Sequence, residues 1–229
     1  MTLHQDPETL ARTAQAARAI RAILVHVEPG AEAQARLHTA VALARKLDAT
    51  LIGVGAEMIQ LAGLADDNAY ADASWIVELQ KLVEENLRNA EATFRAKTAG
   101  LKTEWMTQEG VPAEVIARVS RGADLILAGG APLQVADAYR TAHTAELVLK
   151  AGRPVFVAPP EDGKFSGEAV VVAWKDTREA RRAVADALPF LQLAKDVVVQ
   201  QVCAKDDVAD AEVQTFAVIE HLKRHGVAA

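Results

Sequence analysis

The stretch from Asp124 to Pro160 constrains the fold of this chain more than any other segment. It begins with a short apolar run, Leu125–Ala128, that ends at two consecutive glycines and is typical of a buried strand. Residues Thr144 to Lys150 then show helical spacing, and Pro154–Ala158 is a second apolar run. Strand, helix and strand form a βαβ unit, and a right-handed crossover makes its two strands parallel.

The sequence predicts which face of this helix packs on the sheet and where a ligand would bind. The apolar face of the helix is formed by Ala145, Val148 and Leu149, and an apolar face normally packs on the sheet. Ligands of open parallel sheets bind beyond the carboxyl ends of the strands. The loop from Gly129 to Thr144 is therefore where we expect any small-molecule site.

The chain before Asp124 continues the same alternation of strands and helices. Its predicted strands are Ala22–Val27, Thr50–Ala56 and Thr103–Thr107. Its predicted helices are Ala31–Leu47, roughly Asp72 to Ala99, and a short one that begins at Pro112. Together with the βαβ unit, the pattern predicts an α/β domain with a doubly wound, five-stranded parallel sheet.

Charge and composition exclude several kinds of partner. The net charge of −6 and the pI of 5.6 argue against nucleic acid or an anionic membrane, because either partner would require a basic face. No apolar run approaches the roughly 18 residues that span a membrane. The single cysteine, Cys203, cannot form an internal disulfide. We therefore expect a reducing compartment, and the cytoplasm is the predicted location.

The chain also contains an internal repeat. The segment that starts at Ala169, AVVVAWKDTREARRAVADALPFLQLAKDVVVQQVCA, repeats the pattern of the segment that starts at Ala22, with an offset of 147 residues. The second copy stops early, because Ala229 corresponds to Leu82. We predict an extension over 1–20, a complete domain over 21–160, a linker over 161–167 and a partial second domain over 168–229.

Two features make the chain resemble the universal stress protein family in its tandem form. They are the opening VAWKDTREARRAVADALP in the second repeat and the closing TAELVL followed by GRPVFVAPP in the first. The resemblance implies a flavodoxin-like five-stranded parallel sheet, dimerisation, and in many members ATP bound at the strand ends. The expected partner is a second copy, the partial repeat acting as an internal pseudo-dimer, or an unknown protein.

The resemblance also implies where a nucleotide would bind. ATP-binding members carry G-x2-G-x9-G-[ST] after the fourth strand, where backbone amides and a hydroxyl meet the phosphates. Alignment on TAELVL places these positions at Gly129, Pro132, Ala142 and His143, so three of the four depart from the motif. Proline has no N–H to donate. The family's first-strand aspartate is represented by Glu28. The implied site comprises Val27, Glu28, Val54, Ala128, Gly129, Pro132, Ala142, His143 and Thr144.

Several of these residues also fit plainer structural roles. The pair Gly129-Gly130 forms either a degenerate phosphate cradle or a tight turn between strand and helix. His143 is either a donor to phosphate or an exposed residue at the start of a helix. Arg140, the one permanent cation of the loop, is expected to be solvated.

Outside the loop, Trp174 is either a stacking platform or a packing residue. His221 and His225 have the spacing of half a metal site, but no third ligand is evident, and we interpret the pair as part of a solvated helix end. The sequence contains no catalytic constellation.

Three hypotheses about function follow. The first is a non-catalytic stress-response protein that acts through dimerisation and partner binding, and binds ATP weakly or not at all. The second is an ATP-binding stress protein with slow ATPase or switch activity. The third, a hydrolase or ligase built on the same sheet, would require an intact glycine loop or metal-binding carboxylates, and neither is found.

Overall fold

The computed structural model describes residues 19–59, 73–130, 138–159 and 166–229. The chain divides into two compact units, one formed by Arg21–Lys164 and the other including Phe165–Ala229. The predicted domain boundaries and the partial second repeat stay predictions. Within the described ranges, no helix is long and apolar enough to cross a membrane.

The first unit contains a five-stranded parallel sheet in the order β3-β2-β1-β4-β5. Its strands are β1 (Ala22–His26), β2 (Thr50–Glu57), β3 (Thr103–Glu109), β4 (Leu125–Gly129) and β5 (Val155–Ala158). Its helices are α1 (Ala31–Leu47), α2 (Ala73–Lys97), α3 (Pro112–Val119) and α4 (Thr144–Lys150). This arrangement confirms the predicted α/β fold class.

The strand order follows from the handedness of the connections. The chain moves outward from β1 to β3, then crosses to β4 and ends at β5. Right-handed crossovers in opposite directions place α1 and α2 on one face of the sheet and α3 and α4 on the other. On the second face, Leu24, Ile126, Ile116 and Leu147 share one buried cluster. The most apolar strands, β1 and β4, are central because a parallel sheet buries both faces.

Gly53 and Gly55 let α2 approach β2 closely. A Cβ at Gly53 would lie 2.7 Å from the rings of Phe94 and Trp105. Those two rings pack with centroids 5.2 Å apart. The N-terminal half of α2 buries less than its apolar spacing indicates, because Trp75 and Leu82 are exposed while Val83 and Phe94 are buried. The helix therefore packs on the sheet mainly through its C-terminal half.

The apolar face predicted for α4 is wrong. Val148 is 60% exposed and Leu149 85% exposed, whereas the buried side chain is Leu147, at 1%. Ala151 and Val155 pack beside Leu147 on the same cluster. A helix of seven residues at the edge of the sheet needs only one row of side chains for its packing. The helix is too short for its spacing of apolar residues to identify that row from the sequence.

The second unit contains β6 (Ala169–Trp174), α5 (Arg178–Leu191), β7 (Asp196–Gln201) and α6 (Val208–Arg224). Strands β6 and β7 form a two-stranded parallel sheet. Its core contains Trp174, Val184, Leu191 and Leu222. Val171 and Val198 are largely exposed, because the helices of this unit pack on one face of the two strands alone.

Candidate functional site

The carboxyl ends of β1, β2 and β4 bring most of the predicted site residues to one edge of the sheet. The backbone of Val27 donates to the carbonyl of Val54 at 2.9 Å, which ties the ends of β1 and β2 together. Val27, Val54 and Ala128 are all buried. They form the floor of the site rather than a contact surface. Pro132 lies outside the described residues.

Glu28 is held by an internal ion-pair cluster. Its Oε2 lies 2.8 Å from Nδ1 of His26, and its Oε1 accepts from Nη2 of Arg36 at 3.0 Å. Nε of Arg36 also donates to the carbonyl of His26 at 3.2 Å. Burial raises the pKa of Glu28, but the neighbouring charges of His26 and Arg36 lower it more, and the net pKa lies below its usual value. Glu28 is therefore an ionised carboxylate, with Oε1 hydrogen-bonded to Arg36 and Oε2 in contact with His26.

The ring of His26 has an oxygen atom close to each of its nitrogens. Nδ1 lies 2.8 Å from Oε2 of Glu28, and Nε2 lies 3.1 Å from the carbonyl oxygen of Ala56. The buried cluster thus joins His26, Glu28 and Arg36 at the carboxyl end of β1.

The guanidinium of Arg36 lies close to Gly129. A Cβ at Gly129 would lie 2.6 Å from Nη1 of Arg36, so a larger residue there would require the guanidinium to shift. The glycine that aligns with the phosphate motif therefore makes room for an internal guanidinium.

The loop residues at the start of α4 are turned toward the protein. The hydroxyl of Thr144 donates to the carbonyl of Gly129 at 2.5 Å. Ala142 packs against the buried cluster beneath α3 and α4. His143 is partly exposed and precedes α4 without a side-chain capping bond. His143 is thus the one predicted loop side chain that is open to a ligand within the described residues.

Arg140 is not a solvated cation, and that prediction is wrong. Its Nε and Nη2 lie 3.0 Å from Oε1 of the buried Glu57, and the same oxygen accepts from Asn86. The amide of Met58 donates to the carbonyl of Tyr139 at 2.8 Å. These contacts connect the end of the loop to the end of β2. The charge of Arg140 is paired with the carboxylate of Glu57.

Sequence reasoning missed His26, Arg36 and Glu57. Each had a signal, because each is a charged or polar residue within an otherwise apolar strand or helix face. Buried ionisable residues of this kind require partners. No cluster of metal-binding side chains is found among the described residues. The rings of His221 and His225 do lie close together, at 4.7 Å, without a third ligand in the described chain.

Several polar groups at this edge already have partners inside the protein. Oε1 of Glu28 accepts from Arg36, the hydroxyl of Thr144 donates to Gly129, and Arg140 is paired with Glu57.

Solved structures share the fold. A universal stress protein from Archaeoglobus fulgidus DSM 4304 has a TM-score of 0.62 and 17% identity, over 90% of this chain and 74% of that one. The universal stress protein UspA from Lactobacillus plantarum has 23% identity and a TM-score of 0.46, over 61% of this chain and 97% of that one. A universal stress protein in complex with cAMP has 16% identity and a TM-score of 0.44, over 62% of this chain and 99% of that one.

The other two comparisons found no match: no family model matches the chain, and no curated protein matches it. The sheet order and the flanking helices define a doubly wound α/β protein with its candidate site at the strand ends. Within that class, this chain has the fold of the universal stress proteins.

Proposed function

We propose that this chain is a non-catalytic protein of the universal stress protein type, which acts through dimerisation and partner binding and binds ATP weakly or not at all. One observation carries the proposal. Both oxygens of Glu28 are engaged by His26 and Arg36 inside the protein. A nucleotide could use Glu28 only by breaking this buried cluster. The lone Cys203 is compatible with action in a reducing compartment such as the cytoplasm.

The expected loss of ATP affinity is large. A triphosphate requires convergent donors, and each charge-assisted hydrogen bond contributes about 1.5–3 kcal/mol. Ala142 and Thr144 supply neither a close glycine backbone nor a free hydroxyl. Loss of two such contacts would cost roughly 3–6 kcal/mol, which moves a micromolar site beyond the millimolar range.

The proposed protein contact is a second copy docked at β5. This strand is at the edge of the sheet, and it carries the half-exposed Val157. The exposed Val148 and Leu149 lie on α4, which precedes it. An uncovered edge strand with apolar neighbours is a pairing surface. A homodimer would cover it, and the partial second repeat is the alternative occupant.

Isothermal titration with Mg-ATP tests the nucleotide part of the proposal. The expected dissociation constant is weaker than about 1 mM, and a value below about 10 μM would contradict the proposal. The double variant Ala142→Gly/His143→Ser restores two motif positions and leaves the Glu28 cluster intact. If the cluster is what excludes the nucleotide, this variant should still bind more weakly than about 100 μM.

One observation favours the second hypothesis, an ATP-binding protein with slow ATPase or switch activity. The guanidinium of Arg36 lies beside Gly129 at the start of the loop, where it would attract an anion. Tight binding in the titration, followed by phosphate release in a steady-state assay, would select this alternative.

A further inference from the structure

A cavity of about 550 Å³ lies in the second unit, between α5 and α6 at the carboxyl end of β6. Its described lining is mostly apolar and includes Trp174, Val184, Val213 and Val218, with Asp176 and Arg181 as polar members. Small-molecule sites typically enclose about 300–1,000 Å³ and combine an apolar wall with a few polar groups. The cavity has the size and the composition of such a site.

Trp174 supplies an aromatic wall with an unused hydrogen-bond donor. The side chain is only 8% exposed, and its indole Nε1 is buried without a partner among the described residues. A buried N–H that has lost its water costs free energy until an acceptor meets it. The aligned residue of the first repeat is Val27, so the indole is particular to this unit. A flat ligand could stack on the face of this ring, and an acceptor in the plane of the ring would satisfy the donor.

Arg181 is the permanently charged cation among the described lining residues of the cavity. The acidic lining residue, Asp176, is in contact with it. Both partners of this ion pair are about half exposed. Exposed pairs of this kind contribute little stability. A ligand anion could therefore replace Asp176 at Arg181 with little loss of stability.

We propose that this cavity binds an aromatic small molecule that carries one anionic group. The ring system packs on Trp174 and between Val184 of α5 and Val218 of α6, and the anion pairs with Arg181. The site is formed within the second unit and uses none of the Glu28 cluster. The proposal therefore goes beyond the proposed function, and either can fail without the other.

The test uses 1-anilinonaphthalene-8-sulfonate as the probe, with the full chain in its folded state. Fluorescence and calorimetric titrations should show one molecule bound per chain, with a dissociation constant below about 100 μM. Arg181→Gln should weaken binding about tenfold. Arg178→Gln is the matched control, because Arg178 lies on the same helix, is exposed and does not line the cavity. It should change the affinity by less than twofold.

A neutral probe separates the contribution of aromatic packing from the contribution of the anion that pairs with Arg181. N-phenyl-1-naphthylamine has the same aromatic rings without the sulfonate. It should bind more weakly than the sulfonate, and Arg181→Gln should leave its affinity unchanged. Equal binding of the sulfonate to the two arginine variants would overturn the proposed anion contact.

A pair of variants on α6 tests the cavity itself. Ala217→Phe fills it, because Ala217 lines the cavity, and should abolish binding while the near-ultraviolet circular dichroism stays native. Phe216→Ser removes an exposed apolar side chain next to it and should leave binding intact. Unchanged binding to folded Ala217→Phe, or loss of binding in Phe216→Ser, would show that the probe binds elsewhere and would overturn the proposal. If Ala217→Phe does not fold, the comparison of Arg181→Gln with Arg178→Gln decides the outcome.

Discussion

The guanidinium of Arg36 lies where a side chain at residue 129 would begin. The gap between its Nη1 and a Cβ built on Gly129 would be 2.6 Å, which is too short for any real contact. The same guanidinium pairs with Glu28. The carboxyl end of β4 and the carboxyl end of β1 are thus joined through one buried cation, which lies under the start of the loop.

Gly129→Ala should destabilise the protein because the methyl group displaces Arg36 and disturbs its pair with Glu28. Breaking a buried ion pair costs about 3–5 kcal/mol, and partial relaxation should leave a loss of about 2–4 kcal/mol. Urea unfolding measures the change. Gly130→Ala is the control, because a Cβ there meets nothing closer than 3.6 Å. Equal losses in the two variants would mean that Arg36 does not fill the space at Gly129.

The ion-pair cluster should make stability depend on pH in the acid range. The pKa of Glu28 is lowered in the fold from its ordinary value of 4.5, so the unfolded chain binds the proton first. The contribution of Glu28 is fully present above about pH 4.5 and is lost as the pH falls through the folded-state pKa. Glu28→Gln should therefore destabilise the protein strongly at pH 6, and the difference from wild type should shrink toward pH 3.

Urea unfolding of both proteins at several pH values gives that difference. Glu32→Gln makes the same charge change at an exposed position of α1 and serves as the control. A difference between wild type and Glu28→Gln that stays constant from pH 6 to pH 3 would contradict an ionised, paired Glu28.

Arg140→Gln should loosen the end of the loop. The variant leaves the buried carboxylate of Glu57 with Asn86 as its one remaining side-chain partner among the described residues. The expected loss of stability is about 1–3 kcal/mol. The amide of Met58, which donates to Tyr139, should exchange its hydrogen faster. Arg95→Gln removes an exposed pair with Glu91 and should change neither property by much.

Val157→Lys should break the proposed homodimer at β5. A charge on this edge strand would have to be buried against the second copy, which is unfavourable without a partner. Sedimentation velocity should show a dimer for the wild type and a monomer for the variant. Val77→Lys adds the same charge at an exposed position of α2 and should stay dimeric. A wild-type monomer would remove the basis for the proposed contact.

The candidate site was only partly predictable. Glu28, Gly129 and Thr144 do lie at one edge of the sheet, and a ligand site at that edge stays a prediction. Their contacts differ from the roles that the resemblance implies. Glu28 and Thr144 form hydrogen bonds within the protein, and Gly129 makes room for Arg36. Each of these contacts joins residues on different elements, and a motif written along one loop does not contain them.

The sequence by itself determined the order of strands and helices and the parallel sheet of the first unit. Apolar runs, helical spacing and glycine stops act over a few residues, so they can be recognised locally. Only the tertiary structure decided which row of α4 is buried and which partner each buried charge takes. Arg140 and Glu57 are 83 residues apart in the chain. They meet because the sheet order brings the ends of β2 and β4 to the same edge, one strand apart.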